Sequence, residues 1–105
     1  MSKLYTHIPN LTDSIELPND GTLSRAIYQD GRLKAVLFGF SAGQELSEHT
    51  ASTPAVMHFL KGEATVTLGD DALEMTAGGW VHMAAGQRHS VRTHTPVVML
   101  LLLLK

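Results

Sequence analysis

GQELSEHTASTPAVMHFLKG, residues Gly43 to Gly62, holds His49 and His58 between two glycines. Whether those imidazoles are ligands or interior residues depends on the structure the chain builds around them. The second half of the stretch has a period of two. Val56, His58 and Leu60 fall on one side of an extended chain, and Ala55 falls on the other. The first half, where Glu45 and Glu48 flank His49, reads as a loop. Helical spacing of apolar residues is almost absent from the whole chain.

The same alternation continues outward from this stretch. Ala64, Val66 and Leu68 alternate with Glu63, Thr65 and Thr67, Gly69-Asp70-Asp71 is turn chemistry, and Leu73 and Met75 share a face of the returning segment. Ala77-Gly78-Gly79 and Ala85-Gly86-Gln87 bound a short strand from Trp80 to Met83, and Arg88 to Thr93 follows. Two segments are apolar on both faces: KAVLFGFS, residues 34–41, and VVMLLLLLK at the end. The second is far shorter than the roughly 20 residues of a membrane-spanning helix and reads as a buried strand. Near the start, Leu11 and Ile15 permit one helical turn, while Pro9, Pro18 and Gly21 bar a longer helix. Residues 1–30 are therefore expected to form an arm or edge strands, and residues 31–105 the barrel core. Seven or more short strands separated by turns predict an all-β barrel or sandwich.

A chain of 105 residues is long enough for one domain with one core. An apolar fraction of 44% and a charged fraction of 17% are those of an ordinary globular protein. The net charge of −2, with Lys and Arg scattered, offers no electrostatic footprint for nucleic acid. The absence of cysteine removes disulfides, thiolate metal sites and cysteine nucleophiles together. MSKLYTHIPN lacks the charged-then-apolar pattern of a secretory signal, so the expectation is a cytoplasmic protein with no membrane partner.

The strand from Arg88 to Thr93 orients one histidine. Arg88, Ser90 and Arg92 share the face expected to be solvated, which turns His89 inward with Val91. A buried imidazole needs partners for its ring nitrogens, and a metal is one candidate. His82 shares a face with Trp80 and is a candidate third ligand or cavity residue. His58, on the face of Val56 and Leu60, is expected to pack between sheets or against a partner subunit.

Two spacings then resemble the cupin family. In that family's first motif a glycine is followed after five residues by His-x-His, then a glutamate and a closing glycine; Gly43, His49 and Gly62 fit those spacings. The second motif joins a glycine to Pro-x-Gly and a histidine; Gly78, Gly86 and His89 fit. The resemblance covers Gly43 to Thr93 and implies a single-domain, all-β cupin double-stranded β-helix, a jelly-roll barrel. It implies a metal site built from two histidines and a glutamate of the first motif and the histidine of the second. Here Ala51 and Ala55 occupy two of those positions and Ala84 replaces the motif's proline. His49 and His89 remain as candidate ligands for a divalent metal such as Fe, Mn, Zn or Ni.

Three functions follow from the resemblance and the residues. The first is binding of a small molecule in the barrel, with His49, His89, His82, Trp80, Met57 and Phe59 lining the cavity. The second is a metal-dependent cupin enzyme of the dioxygenase or isomerase type. The third is a sensing or scaffold module, a homodimer that uses the apolar surface of the two doubly apolar strands.

Overall fold

The computed structural model describes residues 4–105. A single 3-10 turn, Thr12–Ser14, interrupts the arm. Nine strands follow: β1 (Thr22–Gln29), β2 (Leu33–Phe40), β3 (Glu45–His49), β4 (Ala55–Lys61), β5 (Ala64–Leu68), β6 (Asp71–Met75), β7 (Trp80–Met83), β8 (His89–Thr93) and β9 (Val97–Leu104). They make two antiparallel sheets, one of order β1-β2-β9-β4-β7 and one of order β3-β8-β5-β6. This is the all-β jelly-roll architecture that the strand spacing and the two motifs imply.

The core sits between the sheets. Phe40, Met57, Phe59, Met75, Met83, Val97 and Met99 join Ala64, Val66 and Val91 in one buried cluster. Four methionines in a narrow interior are well suited to it, since an unbranched thioether fills irregular gaps between opposed sheets. Met57 and Phe59 were expected to line a cavity. They are instead 1% and 0% exposed and packed within this cluster, so they fill the barrel near its middle.

A second cluster lies outside the barrel, on the far face of the larger sheet. Ala35, Leu37, Val98 and Leu100 are buried there against Leu11, Ile15 and Leu17 of the arm. Gly39 lets the arm approach closely: a Cβ at that position would lie 3.2 Å from the Glu16 carbonyl oxygen. The apolar excess of β2 and β9, the basis of the dimer expectation, is thus largely covered by the chain itself. Within residues 1–30 the arm is followed by an edge strand of the larger sheet, β1.

Gly62 closes the β4–β5 connection with a φ of 92°, in the left-handed region that favours glycine. Among the described residues no helix is long and apolar enough to cross a membrane.

Candidate functional site

β3 is loop-like in sequence but forms a strand, and that strand positions the site. Its sequence, ELSEH, has one apolar side chain, too few to show a period of two. The strand exists because it pairs with β8, and the pairing contains an irregularity. Leu46 stands opposite Val91, whereas His49 stands opposite His89, a register displaced by one residue. In a regular strand Leu46 and His49, three residues apart, would face opposite sides. The displacement brings both to the inner side, so the two imidazoles meet. Their ring centroids are 4.1 Å apart with an interplanar angle of 61°.

Each ring is held by its other nitrogen. His49 Nδ1 lies 2.8 Å from the Ser47 carbonyl oxygen, and His89 Nδ1 lies 2.9 Å from that of Gln87. A carbonyl only accepts, so both Nδ1 atoms carry the proton and, in the neutral rings, both Nε2 atoms carry the lone pair. His89 is 6% exposed and His49 is exposed, which puts the pair at the end of the barrel with one ring deep and one at the rim. Among the described residues no side-chain nitrogen or oxygen is both sealed from solvent and unpaired, so His89 Nε2 stays accessible. On the opposite side of the same strand ends, Arg88 Nη1 bonds Glu48 Oε1 at 3.3 Å, tying β3 to β8 beside the histidines. The exposure of both partners keeps that tie weak.

His82 and Trp80 do not join the pair. β7 stands opposite β4 with Met57 facing Val81 and Ala55 facing Met83, and all four belong to the interior cluster or pack against it. Alternation then turns Trp80 and His82 to the outer face, where Trp80, opposite His58, is 59% exposed. This corrects their assignment to the cavity. In a four-residue strand the sequence pattern does not say which of two part-apolar faces is inner. His58 does lie on the outer face with Val56 and Leu60.

The residues present fall short of a metal centre. A catalytic metal of this class takes three protein ligands, and no group of three His, Cys, Asp or Glu side chains stands close enough among the described residues. At the motif's glutamate position Ala55, 2% exposed, points into the core opposite Met83. Glu48, the carboxylate adjacent to His49, is engaged with Arg88.

Sequence reasoning did not reach one part of the site's frame. Thr93, 1% exposed, donates from Oγ1 to the Ser41 carbonyl at 2.8 Å and accepts from the Gln44 amide at 2.9 Å. It anchors the entry to β3 against β8. Its only trace in the sequence is a hydroxyl on the inner face of a strand, two residues beyond Val91.

A double-sheet barrel with a histidine from each of two paired strands at its end is the architecture of the cupins. The family model described as Cupin domain matches residues 36–103, and the chain belongs to that family. Solved structures share the whole fold. A conserved protein of unknown function from Streptococcus pyogenes is 27% identical with a TM-score of 0.86, over 96% of this chain and 89% of that one. A cupin superfamily protein from Desulfitobacterium hafniense is 26% identical with a TM-score of 0.87, over 98% and 95%. A cupin 2 conserved barrel domain protein from Leptotrichia buccalis is 25% identical with a TM-score of 0.84, over 91% of this chain and 47% of that one. No curated protein matches the chain.

Proposed function

We propose that this cupin binds a small molecule at the end of the barrel where His49 and His89 meet, with the two Nε2 atoms as acceptors. The ligand class is a small molecule with a hydroxyl or N–H donor on a partly apolar body. The observation that carries this reading is the pair of Nδ1–carbonyl bonds, which leaves two neighbouring lone pairs without protein partners. Leu68, the register partner of His89, and Leu46 supply apolar surface beside them. Preorganised acceptors next to apolar walls are the usual composition of a small-ligand site.

The test is a nuclear magnetic resonance titration of imidazole-labelled protein with a panel of small phenols, vicinal diols and hydroxy acids. At least one class shifts both His49 and His89 Nε2, and His89→Ala removes the response while the fold is kept. If every compound leaves the pair unmoved, or binding persists in His89→Ala, the reading fails. A parallel zinc titration addresses the enzymatic alternative. Stoichiometric uptake at micromolar concentration would mean that two histidines suffice here for a metal and would replace this reading with a metal-dependent one.

A further inference from the structure

The row of the larger sheet that closes the histidine end of the barrel carries a charge. Lys34 of β2 stands opposite Leu103 of β9, Leu103 opposite Ala55 of β4, and Ala55 opposite Met83 of β7. Ala55 and Met83 belong to the interior cluster and Leu103 packs against it, so the row lies on the inner face. Alternation along β2 agrees. Lys34 shares a side with Phe38 and Phe40, whose stacked rings are 5.8 Å apart at that cluster. Lys34 is therefore the first inward side chain of β2, and it is half-buried.

The connections put this row and the histidines at the same end. β7 finishes at Met83 and β8 begins at His89, and between them Gly86 N donates to Ala51 O at 2.9 Å. On the smaller sheet the matching row is His49, His89 and Leu68. Short links join β2 to β3, β8 to β9 and β4 to β5, so the two sheet orders run alongside each other. β2 then lies over β3, β9 over β8 and β4 over β5. Lys34 faces His49 across the mouth, and Leu103 faces His89. A lysine at a strand end is ordinarily a solvated residue, but this one is turned inward and has nothing to neutralise it. Among the described residues no hydrogen bond or ion pair reaches its ammonium. The loops that rim the mouth, residues 50–54 and 84–87, contain no acidic residue, and Glu48 is engaged with Arg88 on the other side.

From this geometry we infer that the ligand of the histidine pair is a small hydroxy acid, with its carboxylate on the Lys34 ammonium and its hydroxyl donating to a histidine Nε2. The inference rests on the reading of the pair as acceptors and adds a charge to it. Two lone pairs alone take any neutral donor. An inward ammonium with three donors and no carboxylate beside it is the complement of an anionic, acceptor-only group. The same ammonium repels an amine ligand. Facing sheets lie about 10 Å apart, and the lysine stem and the imidazole opposite it span most of that gap. The two polar contacts are therefore close together, which selects an acid with its hydroxyl on the α or β carbon over one with the groups at opposite ends. Leu103 and Leu68, beside the contacts in the two rows, take the alkyl body.

The test compares three probes of one carbon length on the whole chain at neutral pH: α-hydroxyhexanoate, the matching vicinal diol, and hexanoate. Each titration is followed through the ring nitrogens of His49 and His89. The hydroxy acid should bind at least about tenfold more tightly than the diol, and more tightly than hexanoate. Lys34→Met keeps most of the stem, removes the charge, and should bring the hydroxy acid down to the affinity of the diol. Lys34→Arg should keep the preference, and circular dichroism checks that both variants fold. Added salt should shrink the preference in the parent protein, a measurement that needs no variant. A diol that moves both rings at the same concentration as the hydroxy acid, a salt-independent preference, or a preference that survives in Lys34→Met would overturn the role of Lys34 and leave the acceptor reading of the histidines standing. If no probe moves either ring, both fall together.

Discussion

Replacing Thr93 with valine changes almost no volume and removes one hydroxyl, so its effect isolates what that hydroxyl does. Thr93 Oγ1 accepts from Gln44 N at 2.9 Å and donates to Ser41 O at 2.8 Å, while Thr93's own backbone bonds to Gln44 and Gly43 do not involve the side chain. In Thr93→Val the backbone bonds persist, but one amide and one carbonyl lose a partner in a region where Thr93 is 1% exposed. Each such loss costs about 1–3 kcal/mol. Water reaches the less buried Gln44 amide and offsets part of it, leaving a net destabilisation of about 2–4 kcal/mol. For a domain of this size each kcal/mol lowers the melting temperature by about 4–8 °C, so a fall of roughly 10–25 °C is expected. Thr93→Ser retains the hydroxyl and loses a methyl group, at about 1 kcal/mol. Urea unfolding followed by circular dichroism measures both. A valine variant within about 0.5 kcal/mol of the parent, or a serine variant less stable than the valine one, would refute the role given to the hydroxyl.

Two other perturbations have definite directions. In Gly62→Ala the new Cβ would collide with the Pro96 carbonyl oxygen and lie 2.8 Å from Val97 Cγ2, at a φ of 92°; a loss above about 3 kcal/mol is expected by urea unfolding. Asp30 is held below the usual carboxylate range by the Tyr28 hydroxyl at 2.6 Å, then by the amides of Arg32 and Leu33. Its contribution is complete above the ordinary value near 4 and is lost as pH falls through the lowered one, so Asp30→Asn should flatten the acid limb of a stability–pH curve.

What could be read from the sequence depended on contrast between faces. β8 was legible because Arg88, Ser90 and Arg92 differ sharply from His89 and Val91, and β5 because Thr65 and Thr67 oppose Ala64, Val66 and Leu68. β7 offered no such contrast: Trp80 is the largest apolar side chain of its strand, yet Val81 and Met83 take the core and leave it outside. β3 carries almost no apolar signal, and the register displacement that turns His49 toward His89 is a property of pairing between distant strands. The same is true of the arm. Leu11, Ile15 and Leu17 cover apolar surface that, on sequence alone, looked free for a partner. The motif spacings located His49 and His89, but the orientation of their rings comes from carbonyls two residues upstream of each, which any residue could supply.

His49 and His89 present paired lone pairs on Nε2. Long-range proton–nitrogen correlation spectra of uniformly labelled protein at neutral pH read the tautomer of each ring directly. For both residues the expected result is a protonated Nδ1 and an unprotonated Nε2. A protonated Nε2 with a bare Nδ1 on either ring would contradict it.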